Sequence, residues 1–313
     1  MPPSKSTHPE VPQAPVVLLT GASGYVGGRL IPLLEQKPVA LRCLARKPDK
    51  LRPFVKEPTQ IIRGDVLDAS SLDAALQGVH TAYYLVHLMS GSKDFEKEDR
   101  QAATNFALAA KKAGVQRVIY LGGLGDDADP KLSPHLRSRH EVGEILKTSG
   151  VETIEFRAGM VVGAGSTSYQ LMKSLTDRLP VMLCPRWLAI STQPIAVDDV
   201  LDYLLAAQDL PPGDSRIFEI GGPDVVTYGD LIREYARQKG LRRWLVSVPV
   251  LTPYLSGLWL ALVTPATYEV GRHLIEGLKN PTVVLDQSAL KVFSIRLMGV
   301  KEAIQKAIAS MTV

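Results

Sequence analysis

This 313-residue sequence has few cysteines and little excess of charge of either sign. The two cysteines, Cys43 and Cys184, lie far apart, which excludes a disulfide framework and a thiolate zinc site and favours a reducing, cytoplasmic location. The 36 basic residues nearly balance the 32 acidic ones and are scattered along the chain. Because nucleic-acid-binding proteins usually carry a concentrated basic stripe, we expect no nucleic acid partner.

Long hydrophobic runs are missing as well. The longest strongly apolar stretch, residues 251–263, is interrupted by Pro253, and a spanning helix needs about 20 apolar residues, so we expect no transmembrane segment. Residues 1–14 are polar and rich in proline and lack the apolar core of a signal peptide, which predicts a disordered tail. Apolar residues make up 45% of the chain, enough for an ordinary globular core.

Strand and helix patterns alternate through the first half of the chain. Short apolar runs typical of buried parallel strands are followed by helical spacing of apolar residues, and Ser70 with Asp73 is predicted to cap one of these helices. This alternation predicts an α/β fold, a doubly wound parallel sheet with helices on both faces. In the less regular second half, helices are predicted at 141–148, 198–207 and 300–308, and Thr227 with Asp230 is predicted to cap a helix that runs to Arg237. The strand patterns of the first half lie at residues 16–19, 39–44, 60–63, 81–86 and 118–121.

A glycine-rich loop joins the first predicted strand to the first helix. Gly21 suits a tight turn, Gly24 lets the backbone approach a pyrophosphate, and Gly27 lets the helix pack closely on the sheet. The N–H groups of the first helical turn, together with Ser23, Tyr25 and Val26, would then face the phosphates of a dinucleotide. The alternative, a plain turn with accidental glycines, is disfavoured by the surrounding strand–helix alternation.

The end of the second strand bears on which dinucleotide binds. NAD-binding proteins usually place an acidic residue there to hold the ribose hydroxyls, but this chain has Arg46 and Lys47. Two cations suit a 2′-phosphate, so NADP(H) is favoured over NAD(H). The alternative is that both are solvated loop charges.

Residues after the third and fourth strands should line the adenosine end of this site. Asp65 could accept from the adenine amine with Val66 beside the ring, or could simply cap the next turn. Leu85 and Val86 should pass near the ribose and diphosphate, because ligands of such sheets lie at the carboxyl ends of the strands.

Together these motifs resemble the short-chain dehydrogenase/reductase superfamily in its extended and atypical branches, including the NmrA-like proteins and the bacterial NAD(P)-dependent epimerase group. The resemblance implies a Rossmann fold and a nicotinamide cofactor. It also implies that Asn105 orders the active site, and that Arg157 and Gly159 lie in the segment passing the nicotinamide. The motifs are Gly21–Gly27, Gly64–Asp68, Ala113–Tyr120, Phe156–Gly163, Ile195–Val200 and Phe218–Pro223.

The sequence departs from the superfamily at its catalytic positions. The resemblance implies a serine or threonine, a tyrosine and a lysine; here His135 stands for the tyrosine, Arg139 for the lysine, and Gly122–Gly123 for the serine. His135 could act as proton donor, since an imidazole with a pKa near ~6.5 holds a proton near neutral pH. Arg139 could bind a ribose or phosphate, and the glycines would leave room for substrate.

Two kinds of protein fit these changes. One is an NADP(H)-dependent reductase of a small apolar carbonyl or conjugated compound. The other binds the cofactor without turnover, as a sensor, assembly factor or structural protein. Other candidate donors are Tyr83, Tyr84 and Tyr169. No metal is expected. The residues from His140 resemble the start of a zinc-binding helix motif, but the second histidine is missing, so they are predicted to form a solvated helix face.

The chain is predicted to divide into a dinucleotide-binding domain, residues 15–165, and a smaller, mainly helical substrate lobe, residues 166–313. Segments near 194–223 would return to the sheet. The apolar segment 245–274 could form a pocket for a lipophilic substrate, touch a membrane peripherally, or belong to the core. The sequence leaves the oligomeric state open.

Overall fold

A seven-stranded parallel sheet organises the computed structural model, which describes residues 14–88, 94–184, 186–247 and 280–311. The parallel strands lie in the order β3-β2-β1-β4-β5-β6-β11. The chain first adds β2 and β3 on one side of β1 and then adds the remaining strands on the other side, as in a doubly wound sheet. The predicted α/β fold is confirmed. The strands are β1 (Val16–Thr20), β2 (Ala40–Ala45), β3 (Gln60–Arg63), β4 (Val79–Tyr84), β5 (Arg117–Gly123), β6 (Glu152–Ala158) and β11 (Arg216–Ile220).

Six further strands form two-stranded ribbons beside the main sheet. β7 (Val161–Val162) pairs with β10 (Ile195–Ala196), β9 (Ser191–Thr192) with β12 (Val226–Thr227), and β8 (Val181–Cys184) with β13 (Trp244–Ser247).

Helices cover both faces of the sheet and build a lobe at one end. Ser133 caps α5 by accepting from the backbone N–H of Leu136 at 3.3 Å, and Pro134 occupies the first turn, where its missing N–H costs nothing. The predicted start of this helix at residue 141 was therefore wrong. The helices are α1 (Tyr25–Leu34), α2 (Pro48–Leu51), α3 (Leu72–Leu76), α4 (Phe95–Lys112), α5 (Pro134–Lys147), α6 (Thr167–Arg178), α7 (Val197–Ala206), α8 (Tyr228–Gln238), α9 (Ser288–Val292) and α10 (Val300–Ala309).

Two apolar cores lie on opposite faces of the sheet. Leu30 and Ile31 of α1 and Val200 of α7 pack in one, and Phe106 of α4 and Val142 of α5 pack in the other. Each helix buries one apolar stripe, as helical spacing of its apolar residues dictates.

A third core holds the C-terminal lobe together. Tyr169 of α6, Tyr235 of α8 and Ile304 of α10 are fully or almost fully buried there. Among the described residues after 166, helices account for most of the regular secondary structure.

The predicted caps had different outcomes. Thr227 and Asp230 form a reciprocal capping box at the start of α8, as expected. Ser70 does not cap the helix after β3: Asp68 accepts from the Ser70 N–H instead, and the hydroxyl of Ser71 bonds to the backbone of Asp65.

Two predictions fall largely beyond the residues that the structure describes. These are the disordered tail, of which only Ala14 is described, and the role of the apolar segment after residue 247. Among the described helices, none combines the length and apolarity needed to traverse a bilayer.

Candidate active site

The glycine loop lies between β1 and α1, at the carboxyl edge of the sheet. Gly21 has φ +71°, a conformation that side chains disfavour, and a Cβ there would collide with the carbonyl of Leu85. A Cβ at Gly27 would collide with the carbonyl of Gly21. Gly24 is the N-cap of α1, no side chain caps the helix, and its first turn carries no acid. The loop thus presents helix N–H groups to a cleft, which is where a pyrophosphate binds.

A cleft of about 170 Å³ opens from this loop across the ends of β1, β2, β3 and β4. Most of the predicted cofactor residues line it, but the exposed Lys47 does not. The lining residues are Thr20, Gly21, Ser23, Gly24, Leu44, Ala45, Arg46, Gly64, Asp65, Val66, Leu85, Val86, His87 and Leu88.

Two charged residues of this cleft differ in how they are held. Arg46 is exposed at the end of β2, where a cation could reach a 2′-phosphate. Asp65 accepts from the backbone N–H of Leu67 at 3.1 Å. Asp65 therefore caps its own turn while also lining the cleft, so this capping role is compatible with the predicted contact to the adenine amine.

A second, larger cavity of about 350 Å³ adjoins the cleft and shares Leu85 and His87 with it. Its walls come from the sheet edge, from α5 and from the C-terminal lobe. The lining residues are Tyr25, Val26, Leu85, His87, Leu121, Gly122, Gly123, Leu124, His135, Leu136, Arg139, Ala158, Gly159, Met160, Val161, Ser166, Thr167, Ser168, Tyr228 and Thr282.

His135 and Arg139 stand one turn apart on α5, so that both side chains reach this cavity. Arg139 is buried. Its guanidinium donates to the carbonyl of Val86 at 3.1 Å and to the carbonyl of Leu121, and it lies over the ring of Tyr120. These contacts place a fixed positive charge in the cavity wall.

The N-terminus of α5 is tied to the C-terminal part of the chain. The backbone N–H of Ser133 donates to Asn280 Oδ1 at 3.1 Å, and Asn280 Nδ2 donates to Asp129 Oδ2 at 2.8 Å and to the Lys131 carbonyl at 3.2 Å. Thr282, two residues further on, lines the cavity.

His87, which sequence reasoning left without a role, connects the candidate proton donor to a buried carboxylate. Its Nε2 lies 3.2 Å from Nδ1 of His135, and its Nδ1 lies 3.0 Å from Oδ2 of Asp99 on α4. One signal could have revealed Asp99: it sits one turn before Ala103 on the apolar stripe of α4, where a carboxylate is costly unless it is paired.

Two predicted site residues lie elsewhere. Asn105 Nδ2 donates to the carbonyls of Val66 and Leu67 at 3.0 and 3.1 Å, so it holds the turn after β3 and does not line the cavity of His135. Arg157 lines neither cavity. Its buried side chain pairs with Glu155 Oε1 at 2.9 Å and Asp127 Oδ2 at 2.7 Å.

The two glycines at the end of β5 make room for protein atoms. A Cβ at Gly122 would lie 2.7 Å from Glu155 Oε1, and one at Gly123 would lie 2.8 Å from Leu136 Cδ2. Both glycines border the cavity, but the space of their missing side chains is not left for substrate, contrary to expectation. Burial raises the pKa of the Glu155 carboxyl, against the charge and hydrogen bond of Arg157.

His140 also differs from its expected solvated position. It is buried, its Nε2 bonds to the carbonyl of Gly123 at 2.9 Å, and its Nδ1 pairs with Asp127. Within the described ranges, no group of three or more histidine, cysteine, aspartate or glutamate side chains is arranged to hold a metal ion.

The other candidate tyrosine donors are buried away from the cavity. Tyr83 donates to the carbonyl of Leu204 at 2.9 Å, Tyr84 packs on Phe106, and Tyr169 lies in the core of the lobe. A tyrosine that sequence reasoning missed, Tyr228 at the start of α8, does line the cavity.

The seven-stranded parallel sheet and the glycine-loop cleft at its carboxyl edge are those of a dinucleotide-binding protein. The chain belongs to the NAD(P)H-binding family, whose model matches residues 21–182.

A reductase is among its curated relatives. The chain is 25% identical over 269 residues to a ceramide reductase from Caulobacter vibrioides, across 82% of each chain. Several other curated relatives match over 30% to 54% of their own length.

Solved reductase structures share the whole fold. An NADPH-dependent quinone oxidoreductase from Escherichia coli complexed with NADPH has a TM-score of 0.72 at 18% identity, covering 92% of this chain and 98% of that one. The triphenylmethane reductase of Citrobacter sp. complexed with NADP(H) has a TM-score of 0.73 at 17% identity, covering 93% and 99%. At these identities the likeness shows the fold alone.

Proposed function

We propose that this protein is an NADPH-dependent reductase of a small apolar carbonyl or conjugated compound, with His135 as the proton donor. The observation that carries the proposal is the shared wall of the two cavities. Leu85 and His87 border both the glycine-loop cleft and the cavity that contains His135 and Arg139. A dinucleotide on the loop would therefore end beside these two side chains.

The residues of the cleft fit such a cofactor. Side chains at Gly21 or Gly27 would collide with backbone carbonyls. The loop therefore requires glycine at both positions, as a loop that a phosphate approaches closely does. Arg46 borders the cleft, and the two residues directly after β2 are both basic, which favours the 2′-phosphate of NADPH over the free ribose of NADH. Lys47 would add long-range attraction from outside the cleft.

In the proposed reaction, the glycine loop and Arg46 would hold NADPH, which would supply the hydride for the reduction and leave as NADP⁺. His135 completes the reduction: its Nε2–H bond breaks, the electron pair stays on the ring, and the proton bonds to the substrate oxygen or to the conjugated position. The charge of Arg139 cannot be lost at ordinary pH. Held by two backbone carbonyls, it stabilises negative charge developing in the cavity.

The cavity lining supports an apolar substrate. Leu121, Leu124, Leu136 and Met160 contribute to its walls, and apolar walls with a few polar groups are typical of small-molecule sites. The similarity to a ceramide reductase, an enzyme named for an apolar lipid, supports an apolar substrate. We propose that residues 15–165 bind the dinucleotide, and that the lobe from residue 166 supplies substrate contacts through Ser166–Ser168, Tyr228 and Thr282.

Calorimetric titration with NADPH, NADP⁺, NADH and NAD⁺ tests the first half of the proposal. We expect the phosphorylated forms to bind more tightly. Failure of all four to bind would overturn the proposal, and equal affinity would overturn the preference for NADPH.

Oxidation of NADPH with a panel of quinones, enones and apolar ketones tests the second half. The variant His135→Ala should lower kcat by about 100-fold, a normal contribution of a general acid, while the NADPH affinity stays within about twofold. His80→Ala, at an exposed histidine, is the matched control. A His135→Ala enzyme of full activity would refute the assignment of the proton donor.

A further inference from the structure

Three side chains from three parts of the chain form a continuous hydrogen-bonded row behind the cavity. Asp99 comes from α4, His87 from the segment after β4, and His135 from the first turn of α5. We propose that Asp99 and His87 are positioning residues for His135, which keep its ring oriented and Nδ1 protonated, so that the proton that the protonated ring donates is the one on Nε2. This proposal rests on the proposed function of His135.

Asp99 is placed to act as an ionised acceptor. It is 2% exposed, and its oxygens accept from the backbone N–H of Leu88, from the hydroxyl of Ser138 and from Nδ1 of His87, each at 3.0 Å. Burial alone would raise the pKa of Asp99, but the hydrogen bond and charge of His87, the charge of Arg139 and the Leu88 N–H together lower it. A carboxylate only accepts hydrogen bonds, so Nδ1 of His87 carries the proton.

His87 then determines the tautomer of His135. Burial lowers the pKa of His87, and the charge of Arg139 adds to this, although the hydrogen bond of Asp99 opposes it. At neutral pH His87 is therefore neutral, with Nδ1 protonated and Nε2 an acceptor. Since Nε2 of His87 faces Nδ1 of His135 at 3.2 Å, Nδ1 of His135 must carry a proton.

The consequence for the reaction concerns which proton leaves. In the protonated ring of His135, the Nδ1–H bond is engaged by His87, and Nε2–H is the proton that the substrate receives. After transfer, His135 is left neutral in the tautomer that the row already favours. Without Asp99, His87 could adopt its other tautomer and donate to Nδ1 of His135. Loss of the Nε2 proton of His135 to the substrate would then leave its Nδ1–H facing the Nε2–H of His87, so the row would no longer stabilise the product of the transfer.

Nitrogen NMR of the full-length protein labelled in its histidines tests this without any substrate. His135→Gln identifies the signals of His135. In the parent protein we expect the neutral ring of His135 as the Nδ1–H tautomer, and in Asp99→Asn we expect a shift toward Nε2–H. Asp73→Asn, at an exposed aspartate of α3, is the matched control and should leave the spectrum unchanged.

Kinetics with NADPH give the second readout. Asp99→Asn should lower kcat by roughly 10- to 100-fold, part of the usual contribution of acid catalysis, with KM changed by less than about threefold, and should move the alkaline limb of the pH–rate profile. Ser138→Ala, which removes one donor to Asp99 while keeping its charge, should cost less than about fivefold in kcat.

The two readouts separate failure of this proposal from failure of the proposed function. An Nε2–H tautomer in the parent protein, or an Asp99→Asn variant with unchanged tautomer and pH profile, would overturn the positioning role even if the reductase activity is real. If no compound is reduced, the proposed function fails, while the tautomer measurement still decides whether Asp99 and His87 orient His135. If Asp99→Asn does not fold, His87→Gln is measured in its place.

Discussion

The hydroxyl of Tyr120 donates to the backbone carbonyl of Arg139 at 2.8 Å, while the guanidinium of Arg139 lies 4.8 Å from the centre of the Tyr120 ring. One aromatic residue of β5 thus holds both the backbone and the side chain of the same residue on α5. Since His135 is one turn earlier on that helix, the distance of this proposed proton donor from the sheet edge depends on this contact.

The variant Tyr120→Phe keeps the ring and removes the hydrogen bond. We expect the free energy of unfolding to fall by about 1 kcal/mol, the usual net value of a buried hydrogen bond, and kcat to fall while NADPH affinity stays the same. Urea unfolding and steady-state rates measure the two effects. Unchanged stability would mean that α5 is held by its other contacts alone.

The variant Arg46→Ala should weaken NADPH binding by roughly 10- to 100-fold, as loss of one hydrogen bond between charged groups predicts. NADH affinity should change little, because NADH lacks the 2′-phosphate. Arg52→Ala, which removes an exposed cation that does not line the cleft, serves as the control for general loss of charge. Equal effects of Arg46→Ala on both cofactors would remove Arg46 from the phosphate site.

The variant Gly21→Ala combines strained backbone with a collision against the carbonyl of Leu85. We expect it to destabilise the fold by about 2 kcal/mol or more and to abolish dinucleotide binding. Gly213→Ala is the matched control, since a Cβ there meets no atom within 4 Å. Thermal unfolding and calorimetry compare the two, and a stable Gly21→Ala protein that still binds NADPH would contradict the assigned role of the loop.

Stability should also depend on pH through two buried histidines. Burial lowers the pKa of both His87 and His140, more than their acidic partners raise it. The folded state then binds fewer protons than the unfolded state below the ordinary histidine pKa of about 6.5. The stability that these neutral rings contribute is present above that pH and is lost as the pH falls through their lower folded-state pKa values.

Urea unfolding at about pH 7.5 and about pH 5.5 measures this dependence. The free energy of unfolding should be lower at the acidic pH, and His140→Gln should reduce the difference. A pH difference that His140→Gln leaves unchanged would show that the ring of His140 does not contribute to it.

Local patterns predicted the parts of the site that depend on local backbone geometry. The spacing of Gly21, Gly24 and Gly27 after an apolar strand indicated the cleft, because Gly21 has a positive φ and side chains at Gly24 and Gly27 would crowd the carbonyl of Gly21. The start of α5 was also readable from Ser133 and Pro134, a cap followed by proline, but the apolar periodicity that begins later outweighed this signal and gave the wrong boundary.

Contacts between distant segments were not readable in this way. His87 and His135 are 48 residues apart. The local sequence around either residue does not indicate that the fold places them side by side. Glycines 122 and 123 likewise suggested open space for substrate, because the sequence does not show that Glu155 and Leu136 lie beside them. Such pairings follow from strand order and register, which local spacing does not determine.

The hydrogen bond between Ser133 and Asn280 joins an early and a late segment of the chain, so the two cavities are completed at different times during synthesis. The described residues that line the glycine-loop cleft all precede residue 89, whereas the second cavity includes Thr282 and borders the helix that Asn280 holds. Because a nascent chain leaves the ribosome from its N-terminus, the cofactor cleft has all its lining residues long before the second cavity does. A chain interrupted before residue 280 would contain the lining residues of the glycine-loop cleft. It would lack Asn280, which holds the start of α5, and Thr282, which lines the second cavity.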